Sequence, residues 1–326
     1  MTSESDESIQ IYNVKDGKHQ KSCLSKKYGV KLAKFTHTSS CIIYASTKEN
    51  GMLLPISSNT TYLVPDVIRY LSTHDNTFIR YFSGHERAVT CLAMNPGADT
   101  FLSCSEDDTV RLWDTNTQHS CGKLLISHPY LAAFDPSANV IAIASEAAQT
   151  ILLYDFRNYD KEPFAAFDLL EHTHAFSPNS IIKNWNKLEF SNDGKSILVG
   201  ASGHGHLLLD AFEGHVRAYL HRPKGGPKRL AAGEHNPEDT TEPLAETSGD
   251  ACFSPDGRYV LSGSRRENVL VWDTFIPAPS NKQLSPIHEL EMKSEAAVLA
   301  FNPRYNFFAT ADKEVVFWVP DPHANS

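Results

Sequence analysis

Five segments of the chain repeat one pattern, and this repetition constrains the fold more than any other feature of the sequence. Each segment starts with an aromatic residue or Met, passes through a short polar turn, and continues as a run of apolar and small residues. The five segments are 94–105, 134–145, 190–202, 253–264 and 301–312. A second apolar run follows each of them, and its bulky residues near the end are Trp113, Tyr154, Leu209, Trp272 and Trp318. The interval between the first and last bulky residues is 17 to 20 residues in all five copies, which therefore represent one structural unit.

Two looser copies complete the series. One runs from Phe35 to Asp75 if residues 49–65 are an insertion, and the stretch Ile9–Asn13 matches the end of another copy. Short apolar alternations separated by Asn-Pro, Asp-Gly or Ser-Pro-Asp-Gly turns predict small antiparallel sheets. One such sheet cannot bury both of its faces alone, whereas seven sheets packed radially bury each other. The sequence therefore predicts an all-β fold, a seven-bladed β-propeller that occupies residues 1–326 as a single domain.

Three stretches depart from the regular repeat. The chain begins inside the first copy, so we expect the first blade to be incomplete at the N-terminus and the closing strand to be missing. Residues 49–65 mix apolar and turn residues and are interpreted as an insertion loop. Residues 223–249 are basic at one end, acidic at the other and poor in aromatic residues, which predicts a disordered loop.

The copy around residues 84–114 carries the signature of a WD repeat. It contains Gly84-His85, then Ser105-Glu-Asp107, then Leu112-Trp113-Asp114. In such repeats a His, a Ser, the turn Asp and the Trp form a hydrogen-bonded chain that satisfies polar groups inside a packed blade. We therefore predict a structural network of His85, Ser105, Asp107 and Trp113.

Composition restricts the function classes. The net charge of −9 argues against nonspecific nucleic-acid binding, so no direct DNA binding is expected. No run of 18 apolar residues is present, which argues against a membrane span, and the acidic first residues do not resemble a targeting signal. The six cysteines lie far apart without a C-x-x-C pair, as expected for buried free thiols in a reducing compartment.

The motifs that accompany catalysis are missing from the sequence. It contains no G-x-S-x-G, no P-loop and no dinucleotide fingerprint. The two histidine pairs, His172 with His174 and His204 with His206, have no carboxylate or cysteine close by in sequence. We therefore predict no catalytic residues, no cofactor and no metal, and the sequence favours a binding protein over an enzyme.

Two stretches rich in Arg, Lys and Tyr, residues 25–29 and 67–85, are candidates for partner binding. Arg and Tyr are enriched at the energetic centres of interfaces, and Arg suits acidic or phosphorylated partners. The candidate contacts are Lys26, Lys27, Tyr28, Arg69 and Arg80. In the alternative interpretation, Tyr70, Tyr81 and Phe82 fill the blade interior while Arg69 and Arg80 are solvated.

Several segments resemble one particular group of WD-repeat proteins. They are 24–30, 35–37, 68–76, 79–85, 154–157 with 163–165, 187–194 and 210–214. These segments are similar to the WD-repeat subunit of the Set-type COMPASS histone methyltransferase. In fungi the same subunit is also part of the cleavage and polyadenylation machinery. The similarity runs over nearly the whole chain outside the two insertions, and the long loop at 223–249 suggests a fungal version.

The resemblance implies a non-catalytic nuclear scaffold. Members of that family bind the N-terminal region of the methyltransferase and assemble with the other COMPASS subunits. They link methylation of lysine four of histone three to polymerase with a phosphorylated C-terminal domain, which implies an indirect contact with that domain. They also serve cleavage, polyadenylation and termination together with a phosphatase module. Three alternatives remain open. They are a WD-repeat adaptor in another pathway such as ubiquitin-ligase substrate recognition, an enzyme with carboxylates or a metal in the central channel of the propeller, and RNA binding by an Arg/Tyr surface.

Overall fold

The short apolar runs of the repeat form strands in the computed structural model of the chain. The structure describes residues 1–3, 6–48, 67–170, 184–202, 205–222, 250–264, 268–292, 296–312 and 314–321. The insertion predicted at 49–65 and the disordered loop predicted at 223–249 lie outside the described residues. The chain divides into two compact units, Met1–Leu169 and Leu170–Ser326.

The first unit contains four antiparallel sheets, in which strands that follow each other along the chain pair with each other. Sheet 1 consists of β1 (Thr2–Ser3), β2 (Ser8–Asn13) and β3 (Lys18–Leu24). Sheet 2 consists of β4 (Lys31–Phe35), β5 (Cys41–Ala45), β6 (Ile68–Ser72) and β7 (Phe78–Phe82). Sheet 3 consists of β8 (Val89–Met94), β9 (Thr100–Ser105), β10 (Thr109–Asp114) and β11 (Ser120–Leu125). Sheet 4 consists of β12 (Leu131–Phe134), β13 (Val140–Ser145), β14 (Thr150–Asp155) and β15 (Ala165–Asp168), with a 3₁₀ turn at Phe156–Asn158.

The second unit contains three sheets. Sheet 5 consists of β16 (Trp185–Phe190), β17 (Ser196–Ala201), β18 (Gly205–Asp210) and β19 (Val216–His221). Sheet 6 consists of β20 (Ala251–Phe253), β21 (Tyr259–Gly263), β22 (Asn268–Asp273) and β24 (His288–Glu291). The connection from β22 to β24 contains β23 (Gln283–Leu284), which pairs in parallel with β19 as a fifth strand of sheet 5. Sheet 7 consists of β25 (Val298–Phe301), β26 (Phe308–Ala311) and β27 (Val315–Trp318).

The sheets share one register, which follows from the repeat. In six sheets the residue that opens the copy lies opposite the residue seven positions later. These pairs are Phe35–Ile42, Met94–Phe101, Phe134–Ile141, Phe190–Ile197, Phe253–Val260 and Phe301–Phe308. In the five regular copies the later residue also lies opposite the bulky residue of the next strand, as in Phe101–Trp113 and Val260–Trp272. Because side chains alternate along a strand, this register puts the bulky residues on equivalent faces of the sheets.

Neighbouring sheets within each unit bury apolar side chains against each other. In the first unit, separate clusters join sheets 1 and 2, sheets 2 and 3, and sheets 3 and 4. In the second unit, clusters join sheets 5 and 6 and sheets 6 and 7. The middle strands are therefore buried on both faces, which explains nearly continuous apolar runs such as Val140–Ser145. The described residues form seven sheets of the predicted kind, of which sheets 1 and 7 contain three strands.

Candidate interaction surface and buried polar networks

A chain of hydrogen bonds crosses the interior of sheet 3. The Trp113 indole N–H donates to Ser103 Oγ over 2.8 Å, and Ser103 Oγ lies 2.6 Å from His85 Nε2. On the other side of the ring, His85 Nδ1 lies 3.0 Å from Asp107 Oδ2. The Thr109 hydroxyl donates to Asp107 Oδ1 over 2.5 Å. With the His85 proton on Nδ1, every donor from Trp113 to Asp107 has an acceptor, so the chain is satisfied.

The serine that joins His85 to Trp113 is Ser103, which corrects the prediction of Ser105. Both serines lie on the same face of β9 because they are two residues apart, so the sequence did not distinguish them. Ser105 lies closer to the turn, where its hydroxyl donates to the carbonyl of Arg87 and accepts from the Asp107 N–H. His85, Asp107 and Trp113 occupy the positions predicted from the sequence.

The Asp107 carboxyl is held in its charged form. Burial opposes ionisation, but hydrogen bonds from Thr109 and from the Glu86 N–H, together with His85, outweigh it and lower the pKa of Asp107 below its ordinary value. A carboxyl whose pKa is lower in the folded protein than in the unfolded chain stabilises the fold above the unfolded pKa, which is about 4. That stabilisation is lost as the pH falls through the lowered pKa of the folded state.

We expect Asp107→Asn to destabilise the protein most at neutral pH. The difference in the free energy of unfolding between wild type and Asp107→Asn should shrink below about pH 4, where the wild-type carboxyl takes up a proton. Urea unfolding at a series of pH values measures this difference. Asp160→Asn, which changes an exposed carboxyl, is the matched control and should show no such trend. A difference for Asp107→Asn that stays constant from pH 7 to pH 3 would contradict the assignment.

Sheet 6 contains a different buried network at the position equivalent to Ser103. Ser262 Oγ lies 2.8 Å from His206 Nε2, and it accepts a hydrogen bond of 2.7 Å from Arg222. The Ala201 N–H donates to His206 Nδ1, and an Arg222 guanidinium nitrogen lies 2.9 Å from His206 Nε2. Burial and the nearby Arg222 lower the pKa of His206 well below its ordinary value. Trp272 Nε1 is buried without a hydrogen-bond partner among the described residues.

Of the two histidine pairs from the sequence, only His206 lies among the described residues. His206 belongs to the buried network, whereas His172, His174 and His204 lie outside the described residues. The residues that the structure describes contain no group of three or more His, Cys, Asp and Glu side chains arranged to hold a metal ion. Within the same residues, no helix is long and apolar enough to cross a membrane.

Three charged side chains meet between the first strands of sheets 5 and 6, a feature that sequence reasoning missed. Lys187 Nζ on β16 lies 3.6 Å from Asp250 Oδ1 and 4.0 Å from Glu189 Oε2. The Leu299 N–H of sheet 7 donates to Asp250 Oδ2 over 2.8 Å. Burial, assisted by the nearby carboxylates, raises the pKa of the adjacent Cys252 thiol to about 12, so this cysteine is inert at neutral pH. Lys187 and Glu189 are two residues apart on β16 and therefore share one face of the sheet, and this spacing was the only sign of the ion pair in the sequence.

All six cysteines are free thiols. Cys23, Cys41, Cys104 and Cys252 are buried, Cys91 is half-buried and Cys121 is exposed. Cys41, Cys104 and Cys252 sit in apolar strands and pack as small hydrophobic residues, whereas Cys23 is the one buried residue of the polar strand β3.

The candidate partner residues Tyr28 and Arg69 stack on each other in the first unit. The Arg69 guanidinium carbon lies 3.8 Å from the Tyr28 ring centre and 5.9 Å from that of Tyr81. Phe78 contacts both tyrosines, with ring centres 6.1 Å from Tyr28 and 5.4 Å from Tyr81. Together these three aromatic residues and Arg69 form one cluster at β7, which we call the Tyr28 cluster.

Main-chain hydrogen bonds fix the turn that carries Tyr28. The Tyr28 and Gly29 N–H groups donate to the Ser25 carbonyl, and the Tyr28 carbonyl accepts from the N–H groups of Thr47 and Lys48. Gly29 has a positive φ of 70°, and a Cβ at that position would overlap the Thr47 hydroxyl. Only glycine fits this turn, and the turn holds the Tyr28 ring over Arg69.

The five candidate contacts are not equally accessible. Lys26 and Lys27 are exposed, and Lys27 Nζ lies 5.2 Å from the Tyr28 ring centre. Arg69 is only 1% exposed, so the prediction that it contacts a partner and the alternative that it is solvated are both wrong. The physical reason is that β6 lies between β5 and β7, where Tyr28 covers the guanidinium. Arg80 is half-buried, and its guanidinium donates to the Thr115 carbonyl of the neighbouring sheet.

Comparison with known proteins agrees with the seven-sheet architecture. The family described as WD domain, G-beta repeat (WD40) matches residues 76–114 and 248–273. One chain of the crystal structure of the mitotic checkpoint complex superposes with a TM-score of 0.64 at 15% identity, covering 97% of this chain and 82% of that chain. At this identity the match concerns the fold alone. The repeats, the sheets and these matches define a WD-repeat protein of the β-propeller class, as the sequence predicted.

Sequence relatives specify the family within that class. WD repeat-containing protein 82 of Drosophila melanogaster is 34% identical over 97% of this chain and 84% of its own length. COMPASS component SWD2 of Saccharomyces cerevisiae is 35% identical over 98% of this chain and 87% of its own length. The chain belongs to the family of these WD-repeat proteins, which confirms the resemblance found in the sequence.

Proposed function

We propose that this chain is a non-catalytic scaffold subunit of a nuclear histone methyltransferase complex that acts on lysine four of histone three. The near full-length similarity to COMPASS component SWD2 carries this proposal. In this role the chain binds the N-terminal region of the catalytic subunit and further COMPASS subunits. It acts by protein–protein binding and needs no cofactor.

The exposed part of the Tyr28 cluster supports a binding role. Tyrosine is enriched at interface centres, exposed lysines beside it suit the polar rim of an interface, and the main-chain anchors of the turn hold Tyr28 in one position. A preformed surface loses little conformational entropy when a partner binds. We place the partner contacts at Lys26, Lys27 and Tyr28, with Arg69 beneath them as a positioning residue.

We extend the proposal to RNA 3′-end formation. The same scaffold would join the cleavage and polyadenylation factor through its phosphatase module, and would reach the phosphorylated polymerase C-terminal domain only indirectly. This part of the proposal rests on the family resemblance of the sequence segments that include Ile68–Asn76 and Ile79–His85.

Affinity purification of the tagged chain from nuclear extract, followed by mass spectrometry, tests the proposal. Methyltransferase subunits in stoichiometric amounts are the expected result, and polyadenylation subunits would support the extension. Co-purification of ubiquitin-ligase adaptors without methyltransferase subunits would overturn it in favour of the alternative WD-repeat adaptor.

A further inference from the structure

The outer strand of sheet 2 differs from the other described outer strands. β7 is the last strand in the order β4-β5-β6-β7, and no described strand pairs with its other edge. Its residues Phe78, Ile79 and Tyr81 are 37%, 44% and 40% exposed. An uncovered apolar strand edge is a template for pairing with another chain, and soluble proteins usually cover it or place charges on it.

The other outer strands in the described ranges are covered or less apolar. β23 pairs with β19 and covers part of the edge of sheet 5, where Leu284 is buried. β3 exposes Lys18, His19 and Gln20 together with one large apolar residue, Leu24, and β24 exposes His288, Glu289 and Glu291. The side chains of β27, the outer strand of sheet 7, are all half-buried. β11 exposes one large apolar side chain, Leu125, with Lys123 two residues before it. The exposed residues of β15 are Ala166 and Asp168. Three exposed apolar side chains on one outer strand therefore set β7 apart.

Positive charge lies beside the same strand, next to Tyr28. Lys26 and Lys27 are exposed beside Tyr28, and Arg69 lies beneath the aromatic rings. The Glu7 carboxylate pairs with Lys48, and the Asp75 carboxylate in the β6–β7 turn accepts a hydrogen bond from the Thr77 N–H. A cationic surface on a chain of net charge −9 is complementary to an acidic partner and steers its approach.

The second unit shows how a short extended segment covers such an edge. Gln283 and Leu284 pair with Tyr219 and Leu220, and the Tyr219 N–H donates to the Lys282 carbonyl. Main-chain hydrogen bonds supply the attachment, and one side chain, Leu284, enters the apolar cluster between sheets 5 and 6. A partner segment on β7 would use the same two kinds of contact, with Phe78 and Tyr81 as the apolar surface.

We propose that β7 docks an extended acidic peptide of a partner protein, which adds to sheet 2 as a further strand and places carboxylates beside Lys26 and Lys27. The inference rests on the proposed scaffold function, because it assigns one of the scaffold's binding edges. Apolar side chains of the peptide cover Phe78, Tyr81 and the exposed edge of Tyr28. Arg69 positions Tyr28 and does not itself touch the peptide.

A library of random dodecapeptides displayed on phage, selected on the purified full-length chain, tests this proposal. We expect the selected peptides to alternate acidic and apolar residues. Their affinity, measured by fluorescence anisotropy, should fall about tenfold for Lys26→Glu/Lys27→Glu and should also fall as salt is raised. Hydrogen exchange should slow in the β7 amides when a selected peptide is bound.

Lys123→Glu/Lys161→Glu is the matched control, because both lysines are exposed in the same unit and the charge change is equal. It should retain wild-type affinity, and both double variants should melt like wild type. Selected peptides without acidic residues, equal losses in the two double variants, or unchanged exchange in β7 would each overturn the proposal. Oligouridylate that binds more tightly than the peptides and depends on Lys26 and Lys27 would overturn it in favour of RNA.

The two experiments distinguish a wrong docking site from a wrong proposed function. If methyltransferase subunits co-purify with Lys26→Glu/Lys27→Glu as well as with wild type, and the selected peptides ignore these lysines, the scaffold function stands and the β7 edge is not its docking site. If selected peptides depend on the lysines while no methyltransferase subunit co-purifies, the docking edge stands and the proposed function is wrong.

Discussion

Trp113→Ala lowers the free energy of unfolding by about 3–5 kcal/mol, the usual cost of deleting a fully buried aromatic side chain. Trp113 is fully buried in the cluster between sheets 2 and 3. Its ring packs against Phe82 at 5.6 Å and stacks on Phe101 at 6.2 Å. Removing it leaves a cavity between two sheets and takes the donor away from Ser103, so both packing and hydrogen bonding are lost. Urea unfolding measures the change in the free energy of unfolding, with circular dichroism as the probe because its signal does not depend on tryptophan fluorescence.

A milder pair of variants separates the hydrogen bond from the packing. Trp113→Phe removes an indole N–H that donates to Ser103, whereas Trp272→Phe removes an indole N–H without a partner among the described residues. Both tryptophans are fully buried. Because an unpaired buried N–H is itself costly, Trp113→Phe should destabilise the protein by at least about 1 kcal/mol more than Trp272→Phe. Equal losses for the two variants would show that the polar chain of sheet 3 contributes nothing measurable.

Gly263→Ala lowers the free energy of unfolding by about 1–3 kcal/mol, because the new methyl group meets main chain. Gly263 ends β21, and a Cβ there would overlap the Ala296 carbonyl oxygen that precedes β25. Ala296 belongs to the apolar cluster that sheets 6 and 7 share with Leu299 and Phe308, so a shift of its backbone disturbs the packing between these sheets. Thermal unfolding should show a lower melting temperature for this variant.

Gly97→Ala is the control for that experiment. A Cβ at Gly97 would meet the Ala138 methyl group at 3.5 Å and Asn95 Oδ1 at 3.6 Å, which are ordinary contacts. This variant should unfold at nearly the wild-type temperature. A wild-type melting temperature for Gly263→Ala would mean that sheets 6 and 7 are not packed as closely as the structure has them.

The repeat predicted the sheets well because each copy encodes its own local structure. The turn residues and apolar runs specify hairpins, and the shared spacing specifies a shared register, as in Met94–Phe101 and Phe253–Val260. His85, Asp107 and Trp113 were found for the same reason, since their spacing along the chain recurs in WD repeats. The repeat spacing does not distinguish Ser103 from Ser105 as the serine that contacts Trp113, because both lie on the same face of β9.

Features that depend on packing between sheets were not predicted. In the sequence His206 forms a pair with His204, yet its hydrogen-bond partner Ser262 is contributed by the next sheet, 56 positions along the chain. The composition of residues 67–85 favours Arg69 as a partner contact, but the turn around Tyr28 covers its side chain. The exposed edge of β7 depends on which strands the fold leaves uncovered, and this information is absent from the local pattern.

The most direct test of the proposed function is the level of methylation at lysine four of histone three in cells that lack this chain. If the chain is a scaffold of the methyltransferase complex, methylation falls on its deletion and is restored by the wild-type chain. Lys123→Glu/Lys161→Glu should restore it equally, and Lys26→Glu/Lys27→Glu should restore it less. Methylation that stays at its normal level after deletion would contradict the proposed function.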